Sequence, residues 1–422
     1  MIRYVYTFLL ILVAPFLLFG LYKKKSGKPS FGPRWKEHFG RTPPLKDQST
    51  APIWVHTVSV GETIAATPFI KQLKEKYPDT PIVITTTTST GAEQAEKLND
   101  IAEHRYMPLD LPFAIKGFLR SIQPKMMLIM ETELWPNTIH YVAKSNTPIT
   151  VINARLSQRS AERYAKFPSV FKLLSNGITR ILCQHQSDAD RFKQLGVPPE
   201  KLAVTGSLKF DIIIPPATIE AGHQLREQLG TERSVWIAAS THNGEDEQVL
   251  AAHQTLLKTH PNALLILVPR HPERFNDVYQ LSNTLGFNTA KRTQPQSDFS
   301  QVQVYLGDTM GEMLILMQAA DVCFMGGSLL GDKVGGHNLL EPAAVGLPCL
   351  IGSSYYNFTD ITNQLTEVKA AFVCQNSHEI AMHLTSLFSS EGQRLNCKNN
   401  AFTVLQRNQG AVQKTVSNIK LF

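Results

Sequence analysis

The chain alternates short apolar runs, rich in Val, Ile and Leu, with longer segments that mix apolar and polar positions. Short apolar runs bounded by turn residues are typical of strands buried on both faces. Strands that alternate with helices predict parallel sheets covered by helices, which is an α/β fold. The predicted strands lie at residues 52–56, 81–85, 125–130, 149–155 and 178–183, and then at 235–240, 264–268, 302–306 and 322–325.

The length and one interruption predict how this alternation divides into domains. A chain of 422 residues suggests two or three domains, because domains average roughly 150 residues. The pair Pro215-Pro216 interrupts the alternation, which then restarts. We therefore expect two Rossmann-like, doubly wound domains that face a cleft, at residues 51–212 and 213–400. A single helix is expected over residues 161–174. The chain from Asn400 is expected to form one further helix. We treat residues 401–422 as a separate C-terminal segment that is able to cross back to the first domain.

The N-terminus departs from the alternation and predicts a membrane anchor at residues 1–22. Residues 4–22 carry no charge, and as a helix they would be about 28 Å long, close to the thickness of a bilayer core. Lysines follow at once and no small-x-small cleavage site precedes them, which favours an uncleaved anchor over a cleaved signal peptide. By the positive-inside rule these lysines place the rest of the chain in the cytoplasm.

Positive charge is concentrated beside this anchor. Residues 1–41 hold eight Lys and Arg and one Glu, a net charge of +7 that equals the net charge of the whole chain. Phe31, Trp35 and Phe39 are interleaved with these charges, so the basic segment and linker at 23–50 suits an anionic lipid surface better than nucleic acid. The alternative is a topology signal only. Five cysteines without paired spacing predict neither a disulfide framework nor a metal cage.

The candidate chemistry lies in the turns that follow the predicted strands. The longest turn holds Gly-Gly-Ser at 326–328, a variable loop at 329–334, and Gly-Gly-His-Asn at 335–338. Paired glycines allow close approach of a ligand, and a glycine turn before a helix N-terminus suits a phosphate. Asn338 is expected to cap that helix. Glu341 either closes a capping box with Asn338 or binds two vicinal hydroxyls, as on a ribose.

Two turns of the first half carry carboxylates. In Ser59-Val-Gly61-Glu62, Glu62 is either the capping-box partner of Ser59 or a general base whose pKa would be raised by burial. Glu131 and Glu133 either occupy a helix N-terminus or orient substrate and act as a second acid or base.

Further turns carry groups suited to a sugar nucleotide. Arg270 and His271, with Arg274 close behind, either clamp a phosphate or form a charged surface turn. The turn at residues 307–311 either wraps a base or ribose or is only a tight turn. Lys209 is a phosphate or carboxylate partner, or a solvated lysine. Each pattern alone is weak, whereas six such turns on the same edge of two sheets argue for a shared site.

With these motifs, the chain resembles the 3-deoxy-D-manno-octulosonic acid (Kdo) transferases of Gram-negative bacteria. These are membrane-anchored glycosyltransferases of the GT-B fold that act on the lipid A precursor. The resemblance runs from the anchor to Asn357. Its motifs are Trp-Val-His at 54–56 with Ser-Val-Gly-Glu at 59–62, Glu-Thr-Glu-Leu-Trp-Pro-Asn at 131–137, Asn-Ala-Arg-Leu-Ser at 153–157, Gly-Ser-Leu-Lys-Phe at 206–210, Ser-Thr-His at 240–242, Pro-Arg-His-Pro-Glu-Arg at 269–274, Gly-Asp-Thr-Met-Gly-Glu at 307–312, and Gly-Gly-His-Asn at 335–338 with Glu341.

The resemblance implies an inverting transfer of Kdo from CMP-Kdo to the 6′-hydroxyl of the lipid A precursor (lipid IVA), without metal or cofactor. Glu62 would be the general base and Glu131 a second essential carboxylate. Within the donor site, Arg270 would contact the phosphate and Glu341 the ribose. The implied donor-binding set is Arg270, His271, Asp308, Met310, Gly311, Asn338 and Glu341, and further candidate substrate contacts are Ser59, Gly61, Lys209, Ser240, Thr241 and Gly336.

The resemblance also implies partners and a location. The domain at 51–212 would bind the acceptor, and the domain at 213–400 would bind the CMP-sugar donor. The chain would be a single-pass protein of the inner membrane with both domains on the cytoplasmic side, and it would bind no nucleic acid. The alternative is another GT-B enzyme, a UDP-sugar transferase or epimerase acting on a lipid-linked substrate.

Overall fold

The structure is a computed structural model, and it describes residues 2–23, 29–294 and 298–421. It divides into two compact units, Met1–Asp211 with Asn408–Phe422, and Ile212–Arg407. Each unit is built around a seven-stranded sheet in which neighbouring strands are parallel. The predicted α/β class, with two Rossmann-like domains, is confirmed. Part of the basic segment, residues 24–28, lies outside the described residues.

The sheet of the first unit reverses its strand order beside its first strand. Its strands are β1 (Ile53–His56), β2 (Ile82–Thr86), β3 (Glu103–Tyr106), β4 (Met126–Met130), β5 (Ile149–Ala154), β6 (Arg180–Cys183) and β7 (Leu202–Val204). They are arranged β3-β2-β1-β4-β5-β6-β7. The strands β2 and β3 therefore lie on one side of β1, and the chain then crosses to β4 on the other side of β1. Ligands bind beyond the carboxyl ends of strands at such a switch point.

Both faces of this sheet are buried. Trp54 of β1 packs with Phe118 in one core cluster, whereas Val55 packs with Phe69 in another. Alternate side chains of a strand point to opposite faces, so two cores form on one sheet. The helices of this unit are α1 (Ile2–Tyr22), α2 (Val60–Lys76), α3 (Ser89–Glu96), α4 (Pro112–Ile122), α5 (Pro136–Lys144), α6 (Gln158–Ala165), α7 (Pro168–Ser175) and α8 (Gln186–Gln194), with a 3₁₀ helix over Gly32–Phe39.

Two features of the first unit differ from the prediction. The single helix expected at 161–174 is wrong, because α6 ends at Ala165 and α7 begins at Pro168. Proline lacks the N–H that would continue a helix, and it is tolerated in a first turn. The edge strand β3 was not predicted, because its sequence Glu-His-Arg-Tyr alternates in burial and lacks an apolar run.

The N-terminal helix α1 is the candidate membrane span. It is long and apolar enough to cross a membrane by length and composition, and none of its described side chains is buried. Phe8, Phe16 and Phe19 expose 61%, 78% and 73% of their surface. Apart from Arg3 this helix carries no charge, and a helix with this much exposed apolar surface is suited to a lipid environment.

The sheet of the second unit also has seven strands and one reversal of strand order. Its strands are β8 (Val235–Thr241), β9 (Leu264–Pro269), β10 (Thr289–Lys291), β11 (Val304–Leu306), β12 (Val322–Met325), β13 (Cys349–Gly352) and β14 (Ala371–Cys374). They are arranged β10-β11-β9-β8-β12-β13-β14, so the reversal falls between β8 and β12. The helices are α9 (Pro216–Leu229), α10 (Asp246–Leu256), α11 (Phe275–Thr284), α12 (Met313–Gln318), α13 (Leu340–Val345), α14 (Thr359–Glu367), α15 (Ser377–Phe388) and α16 (Glu391–Asn408).

The C-terminal segment returns to the first unit. The prediction of one helix from Asn400 is wrong: α16 ends at Asn408, and a separate helix α17 spans Ala411–Asn418. Gly410, between them, has a φ of 87°, a left-handed conformation that glycine adopts without strain. Val412 and Val416 of α17 are buried in the core cluster that contains Phe69.

A carboxylate holds the start of α17. Asp211 accepts hydrogen bonds from the N–H groups of Gly410 (2.7 Å) and Val412 (2.6 Å). These N–H groups belong to the first turn, where a helix offers no internal acceptor, so Asp211 supplies a helix cap from a distant part of the chain.

We predict that Asp211→Ala lowers the free energy of unfolding of the first unit by about 1–2 kcal/mol, the usual value of a lost cap. The exposed Lys414→Ala on α17 is the control and should change stability little. Denaturant unfolding of both variants measures this. Equal stabilities of the two variants would show that the Asp211 contacts do not hold α17.

Candidate functional site

Glu62 lies in the first turn of α2, directly beyond β1. Ser59 is the N-cap of α2, and its hydroxyl accepts the Glu62 N–H (3.4 Å). The Glu62 carboxylate accepts the Ser59 hydroxyl (3.1 Å) and the Val58 N–H (2.9 Å). The two interpretations left open by the sequence are therefore compatible, because Glu62 closes the helix start and still belongs to the switch-point edge.

The environment of Glu62 tunes its ionisation. The pKa of the Glu62 carboxyl is raised to about 7, mainly by burial and also by the nearby charges of Glu131 and Glu133. The hydrogen bonds from Val58 and Ser59 act in the opposite direction. A carboxyl that titrates near neutral pH is matched to proton transfer, since it is available as a base and retains basicity.

Glu131 follows β4, the strand beside β1. Its carboxylate accepts a hydrogen bond from Lys209 Nζ at 2.9 Å, so Lys209 is a carboxylate partner in this structure. Glu131 has a φ of 58°. Non-glycine residues are uncommon in this left-handed region, and such strain tends to occur at functional sites. Both partners are partly exposed, with 27% and 35% side-chain accessibility, so the ion pair orients Glu131 and contributes little to stability.

The second unit gathers charged and imidazole side chains at its own switch point. His242 follows β8, Arg270 and His271 follow β9, and His337 precedes α13. The rings of His242 and His337 are stacked, with their Nε2 atoms 2.8 Å apart. The His271 ring lies 5.4 Å from that of His242. The sequence motifs contained these histidines, but His242 and His337 were not among the predicted site residues.

Burial and Arg270 control the ionisation of this cluster. The pKa of His337 is lowered to about 4, mainly by burial and also by the nearby His242 and Arg270. Burial also lowers the pKa of His242. Burial raises the pKa of Glu341, whereas Arg270 opposes that rise. At neutral pH the cluster therefore offers the Arg270 guanidinium beside the uncharged imidazoles of His242 and His337, an arrangement suited to a phosphate.

The glycine turn after β12 does not offer its N–H groups to a ligand. The N–H groups of Gly327 (2.6 Å), Ser328 (2.9 Å) and Leu329 (3.0 Å) all donate to the carboxylate of Glu245. Glu245 is 0% exposed. The turn binds an anion, as its sequence suggested, but the anion is the protein's own carboxylate. The contact of Glu245 with this turn was not predicted, because a Glu at the start of a helix is usually explained by its favourable interaction with the helix dipole.

The expectation that Asn338 caps the following helix is wrong, which also excludes the capping-box alternative for Glu341. Helix α13 begins at Leu340, and Leu339 occupies its N-cap position without a side-chain cap. Asn338 Oδ1 accepts a hydrogen bond from the Leu340 N–H at 3.1 Å. The Glu341 carboxyl is buried, and the charge of Arg270 acts on it.

Several other predicted contacts are engaged within the protein. The buried Thr241 hydroxyl donates to Asp246 (2.7 Å), and Arg274 pairs with the same carboxylate. Thr241 is therefore a structural residue rather than a substrate contact. Asp308 accepts the N–H and hydroxyl of Thr293, which ties its carboxylate to a neighbouring loop.

The remaining predicted residues lie in the turns after strands, each within its own unit. Met310 is 63% exposed and follows β11 beside Gly311, which has a φ of 85°. Ser240, at the end of β8, has a φ of 59°. Gly336 donates its N–H to the Gly327 carbonyl at 2.7 Å. Gly61 lies in the first turn of α2, and its missing side chain leaves the space beside Ser59 open.

The pKa of Glu62 predicts a pH-dependent stability difference. The folded-state value of about 7 exceeds the ordinary value of 4.5, so the folded state binds more protons between these limits and the wild type loses stability as pH rises through them. Glutamine does not titrate. The melting temperature of Glu62→Gln minus that of the wild type should therefore become more positive from pH 5 to pH 8. The exposed Glu75→Gln on α2 is the control, and a difference that stays constant with pH would contradict the assignment.

Comparisons with known proteins agree with this geometry. Residues 33–212 match a family described as "3-Deoxy-D-manno-octulosonic-acid transferase (kdotransferase)", and residues 236–404 match "Glycosyl transferases group 1". The 3-deoxy-D-manno-octulosonic acid transferase of Haemophilus influenzae is 40% identical over 422 residues, covering 99% of this chain and 98% of its own. That of Bordetella pertussis is 32% identical, covering 87% of this chain and 86% of its own.

A solved structure shows the fold alone. The UDP-GlcNAc 2-epimerase from Neisseria meningitidis bound to UDP-GlcNAc has a TM-score of 0.57, with 17% identity, and covers 87% of this chain and 100% of its own. The chain has the GT-B fold, and by its sequence relatives it belongs to the family of 3-deoxy-D-manno-octulosonic acid transferases.

Proposed function

We propose that this glycosyltransferase moves Kdo from CMP-Kdo to the 6′-hydroxyl of the lipid A precursor. The observation that carries the proposal is the Glu62 carboxyl, whose pKa is raised to about 7 at the switch point of the first unit. A general base for a sugar hydroxyl must be ionised at working pH and still accept a proton. The family membership supports Kdo as the transferred sugar.

In this mechanism Glu62 removes the proton of the acceptor hydroxyl as that oxygen attacks the anomeric carbon of Kdo. The bond between the anomeric carbon and the phosphate oxygen of CMP breaks, and CMP leaves with the electron pair. Attack from the face opposite the leaving group inverts the anomeric configuration. The transition state has oxocarbenium character, as in glycoside hydrolysis.

Glu131 is the second carboxylate of this proposal. Its contact with Lys209 keeps it oriented, and its negative charge raises the pKa of Glu62. Glu131 therefore strengthens the base by electrostatics and can also accept a hydrogen bond from the acceptor sugar.

The donor set is assigned to the second unit. Arg270 would neutralise the phosphate of CMP, with His271 as a neighbouring hydrogen-bond donor. Glu341 would accept the two ribose hydroxyls, and Asn338, Met310 and Gly311 would complete the nucleotide site. Asp308 remains a weaker candidate, because its carboxylate already accepts two hydrogen bonds from Thr293.

We propose that the acceptor docks within the first unit, between the C-terminal end of α1 and the start of α3. A cavity of about 720 Å³ lies there, walled by apolar and aromatic side chains that include Leu21, Phe31 and Trp35. Hydroxyl groups of residues 88–90 line its other side. The neighbouring Thr87 hydroxyl donates to the Val58 carbonyl at 3.0 Å, which connects this cavity to the turn that holds Glu62. An acylated, phosphorylated glycolipid offers matching apolar and polar parts.

Membrane attachment completes the proposal. Helix α1 would cross the inner membrane once and hold both units on the cytoplasmic side, as the basic residues after it imply. Trp35 is 44% exposed in this region, and a partly exposed tryptophan suits the interface between lipid and water.

Transfer by purified enzyme tests the base assignment. Glu62→Gln should slow transfer from CMP-Kdo to lipid A precursor by two to four orders of magnitude, roughly the value of general base catalysis, and should still bind CMP. Mass spectrometry of the product measures transfer and counts the sugars added. Glu75→Gln, on the same helix, should remain active. Near-normal transfer by Glu62→Gln would move the base assignment to Glu131 or Glu133.

Nucleotide-dependent melting distinguishes the proposal from a UDP-sugar enzyme. CMP should raise the melting temperature and UDP should not, because only a ligand that binds the folded state stabilises it. Arg270→Gln should weaken the CMP effect by removing the charge opposite the phosphate. Stabilisation by UDP instead of CMP would favour the alternative UDP-sugar function.

A further inference from the structure

Glu245 is a buried carboxylate behind the donor cluster of the second unit. It precedes α10 directly after β8, and its side chain is inaccessible to solvent. One carboxylate oxygen accepts the N–H groups of His242 (2.9 Å) and Gly327 (2.6 Å). The other accepts those of Ser328 (2.9 Å) and Leu329 (3.0 Å).

These four contacts exclude a role in proton transfer. An ionised carboxylate has about four acceptor positions, and four backbone donors occupy them here. A hydrogen bond from an N–H to a charged acceptor is stronger than one between neutral groups, so the arrangement compensates for burial of the charge. Glu245 therefore acts on other residues rather than on a substrate.

The contacts join the two strands that border the switch point. His242 lies at the end of β8, and residues 327–329 form the turn after β12. Gly327 has a φ of 71°, and a Cβ atom there would lie 2.8 Å from Val334 Cγ1 and 3.0 Å from His337 Cδ2 and Nε2. Glu245 thus fixes His242 through its backbone N–H, and it fixes the glycine surface against which the His337 ring packs.

We propose that Glu245 is a positioning residue for the sugar-nucleotide donor, an internal anion that sets the placement of the His242–His337 pair beside Arg270. The inference rests on the proposed donor site in the second unit. A phosphate in that site would depend on the placement of these imidazoles, because hydrogen bonds to an anion weaken steeply when their geometry is lost.

The test compares Glu245→Gln with a matched control. Glutamine keeps the shape of the side chain but turns two acceptor positions into donors that face backbone N–H groups. Asp321→Asn is the control, because Asp321 accepts the Val235 N–H at the opposite end of β8 and pairs with Arg226. Each variant removes a carboxylate that accepts a backbone N–H at one end of β8. Only Glu245 lies at the end of β8 where the donor is proposed to bind.

Steady-state kinetics should separate positioning from lost stability. Glu245→Gln should raise the KM for CMP-Kdo and the Kd for CMP by about tenfold or more, the scale of unsatisfied buried donors, with the KM for the acceptor unchanged. A merely destabilised enzyme lowers the apparent kcat and leaves both KM values unchanged. Asp321→Asn should behave in that second way. An unchanged donor KM in a folded Glu245→Gln enzyme would overturn the inference.

Two further measurements test the inference without using CMP-Kdo as a substrate. The imidazole NMR resonances of His242 and His337 should shift in ligand-free Glu245→Gln and stay in place in Asp321→Asn. Gly327→Ala keeps the Glu245 carboxylate but places a methyl group against Val334 and His337, and it should also weaken CMP binding. Failure of the wild type to bind CMP contradicts the proposed function, whereas unshifted imidazole resonances in Glu245→Gln contradict the positioning role.

Discussion

Backbone N–H groups that emerge beyond the ends of parallel strands have no partner in the sheet, and buried ones must find an acceptor elsewhere. This chain meets that requirement repeatedly with carboxylates. Asp110 accepts the N–H groups of Asn137 and Thr138 at the start of α5. Asp188 accepts the Leu156 N–H. The turns at the functional edges of both sheets depend on the same solution.

The two units use this interaction to different ends. Glu245 accepts four N–H groups, so its charge is fully compensated and its chemistry is structural. Glu62 accepts one N–H and one hydroxyl, beside the negative charges of Glu131 and Glu133. Its ionised form is less well compensated, and the pKa rises accordingly. The number of backbone donors around a buried carboxylate thus decides whether it supports a loop or remains available as a base.

Much of the fold follows from local pattern, whereas the details of the site do not. Apolar runs predicted the central strands because parallel strands are buried on both faces. The edge strand β3 lacks such a run, and Pro168 divides a helix that looked continuous. Ser59 and Glu62 were recognisable at a helix start. The partner of the glycine turn, Glu245, is more than 80 residues away in sequence, and no local pattern connects residues at that separation.

The return of α17 to the first unit makes that unit discontinuous in sequence. Its strands end at Val204, yet Val412, Val416 and Ile419 complete the core around α2. During synthesis the intervening chain takes roughly 10–40 s to be made at 5–20 residues per second. Throughout that time the apolar part of α2 that contacts α17 has no cover. The first unit must therefore wait for the whole second unit to be translated before its core closes, which exposes a partly folded intermediate to aggregation.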